Sequence, residues 1–155
     1  MPLHLRDEIK QSKPFKSLAQ EAHLSIERTA AVLTHGFADV FERHGITPTQ
    51  YNVLRILRGA GAAGLCRNEI RDRLVAQVPD VTRLLDRLEQ MDLVVRDRDA
   101  ADRRQVNARI TRDGLRLLDR LDAPVAESHD RQFERLTERE LRTLIDLLAK
   151  LRQSH

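Results

Sequence analysis

The sequence predicts a mainly α-helical chain with one small β-hairpin, and three observations predict it. Apolar residues recur every three or four positions over most of its length. Alternation at a period of two is confined to one stretch, where Val106, Ala108 and Ile110 interleave with Gln105, Asn107 and Arg109. Pro48 and Pro79 stand at the openings of two periodic segments, where a missing N–H costs nothing.

In chain order, residues 1–14 carry two prolines and no clear period, and read as a flexible arm. A first long helix spans about 15–44, with Ala22, Ile26, Ala30, Leu33, Phe37 and Phe41 on one stripe. At 1.5 Å per residue such a helix is ~45 Å long, more than a small lobe can cover. Gly45 ends it. Thr47-Pro48-Thr49-Gln50 is a capping box opening the next helix, whose apolar face is Tyr51, Val53, Leu54, Ile56 and Leu57. Gly59, Gly61 and Gly64 break that helix. A short helix from Cys66 to Leu74 follows, then a turn at 76–78, then a helix opened by Pro79 and running to about Met91.

Val81, Leu84, Leu85 and Leu88 of this last helix face a core, while Pro79, Arg83, Asp86, Arg87 and Gln90 face away. Val94 and Val95 lead one strand, and Asp99 to Arg104 form the loop into the return strand. The tail from Thr111 is helical again, with stripes at Leu117, Leu118, Leu121 and Val125 and at Leu141, Leu144, Ile145, Leu148 and Leu151, the second opened by the capping box Thr137–Glu140. Residues 15–155 thus read as one domain. A lobe at 45–112 is flanked by helices at 15–44 and 113–155, whose surplus apolar surface predicts a homodimer.

A helix followed by a basic hairpin is the arrangement of a winged helix-turn-helix. Its helix fills the major groove of double-stranded DNA and its hairpin reaches the backbone or minor groove. The first turns of such a helix reach base edges, which here limits direct reading to Gln77, Pro79, Asp80, Thr82 and Arg83. Arg83 has the forked donors that match guanine O6 and N7. Gln77 could pair with adenine or bind phosphate. Asp80 could accept from cytosine or cap the helix. Arg67, Asn68 and Arg71 on the preceding helix, with Arg87, are assigned to phosphates. Arg73 and Asp86 are equally suited to surface ion pairs.

The segment T-R-L-L-D-R-L-E at 82–89, L-V-V-R at 93–96, D-R-R at 102–104 and I-T-R-D-G at 110–114 together resemble the MarR (multiple antibiotic resistance regulator) family of transcription factors. The resemblance implies a sequence-specific regulator, more a repressor than an activator, acting as a dimer on a pseudo-palindromic operator. It also implies that Arg104, with Arg103, enters the minor groove with Asp102 as brace, and that Arg96 and Arg98 serve the flanking backbone. A narrow minor groove attracts guanidinium groups, which agrees. By the same resemblance a small effector, often an aromatic anion, binds near His23, Arg28, His35, Tyr51 and Arg55.

The net charge of +3 is compatible with nucleic acid but does not require it, so charge acts by placement. Arg outnumbers Lys by 23 to 4, which suits forked phosphate contacts and equally a GC-rich genome. With no Trp, one Tyr and four Phe, the core has to be aliphatic. No apolar run approaches membrane-spanning length, and the N-terminus lacks the apolar core of a signal peptide. The single Cys forms no internal disulfide and suits a reducing cytoplasm.

Two alternatives stand beside this reading. Cys66, next to Arg67 at a helix start, could act as a redox-sensing thiol, although the peroxide-sensing branch of the family carries its cysteine near the start of the first helix, where this chain has none. A protein-interaction adaptor is the other, but it would not need the arginines at 103–104. The chain lacks Gly-rich phosphate loops and hydrolase or zinc-protease motifs, and its His residues lack metal-ligand spacing, so neither an enzyme, a cofactor nor a metal is expected.

Overall fold

A computed structural model describes residues 3–153. The first two positions of the expected arm and the last two of the C-terminal helical segment lie outside the described residues. The element order is α1 (Leu5–Glu8), α2 (Leu18–Gly36), α3 (Ala38–Glu42), α4 (Pro48–Ala60), β1 (Leu65–Cys66), α5 (Arg67–Arg73), α6 (Val81–Gln90), β2 (Val94–Arg98), β3 (Val106–Ile110), α7 (Arg112–Phe133) and α8 (Glu138–Arg152). The mainly helical fold with a small antiparallel sheet is as expected, but three elements differ from the sequence reading.

The first long helix is two helices. The chain breaks at Phe37, whose ring turns inward to within 5.8 Å of the Phe41 ring and 4.8 Å of the His129 ring, centre to centre. The Phe37 N–H bonds to the Thr34 carbonyl instead of continuing the α ladder. Gln132 Nε2 on α7 then donates to the Leu33 carbonyl at 2.8 Å, so a side chain replaces the lost helical donor. Aromatic packing onto α7 is a tertiary term that a periodicity of apolar residues does not contain.

The N-terminal segment carries the unexpected turn α1, which buries Leu5 and ties its Arg6 guanidinium to the carbonyls of Gln11 and Ser12. The hairpin also gains a third strand. β1 pairs with β3 through Leu65↔Ala108 and Cys66↔Asn107, and β3 pairs with β2, giving the antiparallel order β1-β3-β2. A two-residue strand shows no alternation, so nothing in the sequence marks it. Gly64 makes the pairing possible: it lies at φ +67, and a Cβ there would stand 2.5 Å from the Ala108 carbonyl oxygen. Gly59 does not break α4, which ends at Gly61.

Leu54, Leu57, Ile70, Leu88, Leu118 and Leu121 are fully buried and join α4, α5, α6 and α7 into one aliphatic core. The α7 stripe of Leu117, Leu118, Leu121 and Val125, expected to serve a partner chain, is used inside this chain because α4 lies across it. Leu118→Ala should therefore cost about 2–5 kcal/mol of stability, readable as a lower denaturation midpoint with an unchanged slope. By contrast α2 and α8 bury no residue at all. Leu144, Ile145, Leu147 and Leu151 stay exposed on α8, as do Leu18, Ile26 and Val32 on α2.

Candidate nucleic-acid interface

The helix-turn-helix is α5, the 74–80 turn and α6. Asn52 on α4 accepts from the Val75 N–H at 3.0 Å and fixes where the turn begins. α6 starts at Val81, later than the opening at Pro79 expected from the sequence. Asp80 sits outside the helix and accepts the Arg83 N–H at 2.9 Å. Its carboxylate is committed to satisfying that free amide, which decides between cap and cytosine reader in favour of the cap. Val81, Leu85 and Leu88 are buried and Leu84 is half-buried, as the periodicity requires. α6 ends in a turn at Asp92, which has φ 58, where the Leu93 N–H returns to the Leu88 carbonyl at 3.0 Å.

Gln77, Pro79, Thr82 and Arg83 are all exposed at the start of α6 or just before it. Arg67 Nη1 donates to Thr82 Oγ1 at 3.2 Å, so a residue expected on phosphate and one expected on a base hold each other across the two helices. Asn68 and Arg71 are exposed on α5, with Arg71 Nε 3.7 Å from the neighbouring Asp72 carboxylate. The guanidinium groups of Arg83, Arg87, Arg103 and Arg104 are exposed and have no side-chain partner among the described residues.

The wing is built differently from its expected form in three places. Arg96 is not available to the DNA backbone. Its Nη2 lies 2.5 Å from Asp86 Oδ1 and 3.1 Å from Glu89 Oε1, both on α6, and its own N–H donates to Glu89 Oε2 at 3.1 Å. This contact holds the Glu89 carboxyl below its usual range, chiefly through the hydrogen bond from Arg96. Arg98 Nη1 donates to the Arg103 carbonyl at 3.1 Å and so staples the loop. Asp102 does brace Arg104, but by accepting its backbone N–H at 3.0 Å rather than its guanidinium, which leaves that side chain unpaired.

Sequence reasoning missed Asp99, which organises the tip. Its carboxylate accepts the N–H groups of Ala101 at 2.7 Å and Asp102 at 3.1 Å, and the Asn107 amide at 2.8 Å. The Asp102 and Ala101 donors lower its pKa. The D-A-A-D run at 99–102 carried the signal, because an Asp opening a loop is placed to accept amides two and three residues on. The motif I-T-R-D-G closes the lobe. Thr111 Oγ1 accepts the Gly114 N–H at 3.0 Å and donates to the Asp92 carbonyl at 2.7 Å. A Cβ at Gly114 would stand 2.6 Å from the Leu93 carbonyl oxygen, so only glycine fits there.

Of the five residues expected around an effector, the structure brings Tyr51 and Arg55 together, with the guanidinium 5.9 Å from the ring centre. The Tyr51 ring also packs 4.7 Å from Phe41, and burial raises its pKa. His23 instead pairs with Glu27 at 3.6 Å and Arg28 with Glu8 at 3.8 Å, while His35 is exposed. One surface cleft of about 280 Å³ includes His44, Leu93, Arg116 and Arg120, and none of the five lines it.

Cys66 caps α5 and is half-buried at the edge of β1, with its N–H on Glu69 Oε2 at 2.8 Å. Cys66→Ser is expected to bind DNA as the parent does, before and after peroxide treatment. Release of the parent alone by peroxide would establish the redox-sensing alternative. Among the described residues no three potential metal ligands gather, and no helix is long and apolar enough to cross a membrane.

The MarR family model matches residues 46–106, which span α4 to the start of β3. The HTH-type transcriptional regulator YkoM of Bacillus subtilis is 35% identical over 77% of this chain and 76% of its own length. A crystal structure of a MarR transcription factor from Planctomyces limnophilus has 40% identity and a TM-score of 0.67, covering 88% of this chain and 98% of that one. A mutant of MarR from E. coli, crystallised with operator DNA, has 25% identity and a TM-score of 0.78 over 95% of this chain and 97% of that one.

Proposed function

Because the chain belongs to the MarR family of DNA-binding transcriptional regulators, we propose that it is a cytoplasmic repressor that binds a pseudo-palindromic operator as a homodimer and is released by a small effector. The observation that carries the DNA reading is the pair of unpartnered, exposed arginines at its two ends: Arg83 on the first turn of α6 and Arg104 at the wing tip. An unpaired guanidinium at a helix start suits a guanine edge, and one on a narrow loop suits a minor groove. Arg67, Asn68, Arg71 and Arg87 add phosphate contacts, while Gln77 and Thr82 border the base-reading turn. The likeness to E. coli MarR on operator DNA supports this placement.

The exposed apolar faces of α2 and α8 support the dimer, and a two-fold dimer reads a site with two-fold symmetry. Occupying a promoter blocks polymerase without any further contact surface, which favours repression. Tyr51 and Arg55 form an aromatic and cationic corner suited to an aromatic anion. His23, Arg28 and His35, which do not join this corner, are not part of that proposal.

Salt tests the DNA reading. Binding should follow counterion release, with log affinity falling linearly against log salt at a slope of roughly −5 to −9 for about three to five phosphate contacts per lobe. The measurement is anisotropy of a labelled duplex selected by the protein from a randomised pool. A flat response, or a pool that yields no consensus, overturns the proposal.

A further inference from the structure

The Arg96 cluster is the most extensive side-chain network in the lobe, and the DNA contacts proposed above make no use of it. Arg96 lies on β2, the first strand of the wing, with only 22% of its side chain exposed. Asp86 and Glu89 lie one turn apart on α6, beyond the first turn that reads bases. One guanidinium therefore spans two carboxylates on the reading helix, and the Arg96 N–H adds a bond from the wing backbone to Glu89. A forked, planar donor set does this; a lysine ammonium, a single point charge, does not hold two acceptors in fixed directions.

We propose that Arg96 is a positioning residue for DNA recognition: with Asp86 and Glu89 it locks the wing to the recognition helix, so that major-groove and minor-groove contacts are made at one fixed spacing. The base of the wing is held by Val94 and Ala108, which share the core with Leu85 and Leu88 of α6, and by the pairing of β1 with β3; the Arg96 cluster adds a polar tie from β2 to α6. Beyond Asn107 the hairpin is a two-stranded ribbon, and its tip, where Arg103 and Arg104 stand, magnifies any change in the angle at which the wing leaves the lobe. The lock also offsets one of the two negative charges on α6 that would otherwise oppose phosphates. Holding the tip in advance removes an ordering cost from binding, and it narrows the groove shapes that Arg104 accepts. This rests on the reading that α6 and the wing both contact the duplex.

The test uses the full chain and duplexes with one selected core and either A·T or G·C flanks. Arg96→Gln removes a positive charge, and the double variant Asp86→Asn/Glu89→Gln removes two negative ones. Charge alone makes them opposites, the first weakening binding to every duplex and the second tightening it. The lock predicts that both lose at least about threefold of the parent's ratio of A·T-flank to G·C-flank affinity, which reports groove shape. Glu89→Gln alone keeps the Asp86 contact and gives a smaller loss in the same direction. Should the other variants fail to fold by circular dichroism, this single change decides the matter.

An unchanged flank ratio in folded variants overturns the lock. So does a ratio that follows charge, falling in one variant and rising in the other. Arg104→Ala in the same panel separates the two layers of inference. If it abolishes the flank ratio while the lock variants keep theirs, the lock fails and the wing contact stands. If Arg104→Ala changes nothing either, both fail.

Discussion

Leu144→Asp combined with Leu151→Asp is expected to convert the proposed dimer to a monomer at micromolar concentration and to lower operator affinity by about 10²–10⁴-fold, the range that linkage of two sites supplies. Both side chains are exposed on one stripe of α8, and α8 buries no residue in its own chain. The charges therefore cost the chain's own core nothing. They would cost a dimer several kcal/mol, because each would be buried without a partner. The core residues lie on α3 to α7, so far-ultraviolet dichroism of the variant should keep its helical signal. By the same geometry, removal of residues 137–155 should take away the proposed dimer but no residue of the core cluster. Sedimentation that still gives a dimer would place the interface elsewhere.

Arg83→Ala and Arg104→Ala should separate the two modes of reading. Neither side chain has an internal partner among the described residues, so removing either breaks no bond within the protein. Arg83→Ala is expected to cost about 1–3 kcal/mol per half-site and to relax preference at one base pair. Arg104→Ala should weaken binding most on A·T-rich flanks and level the difference from G·C-rich flanks, since it loses a contact to groove potential. Asp102→Ala should do the same more mildly, because Asp102 holds the Arg104 backbone and leaves the guanidinium present. Arg67→Ala gives a mixed result, since it also frees Thr82. Quantitative binding over operators varied at the half-site core and at the flanks reads all four. If Arg104→Ala leaves both affinity and flank preference intact, the wing does not touch DNA.

The sequence by itself determined the fold class, the family and most of the local grammar. The capping boxes at Thr47 and Thr137 and the buried stripe of α6 are as their spacing dictates, because caps and amphipathic stripes are set by residues within one or two turns. The length of the first helix, the strand at Leu65–Cys66, the partner of the α7 stripe and the duty of Arg96 were decided by tertiary structure. The first three depend on residues distant in the chain: His129 and Gln132 for the break at Phe37, Ala108 and Asn107 for the strand, α4 for the stripe. Arg83, Arg96 and Arg104 look alike in the sequence, three arginines in a basic segment. Only packing shows that Arg96 is enclosed by two acids from the helix beside it while the other two stand free. A charge shows its sign in the sequence, but its partner is a matter of distance, and distance is what the fold supplies.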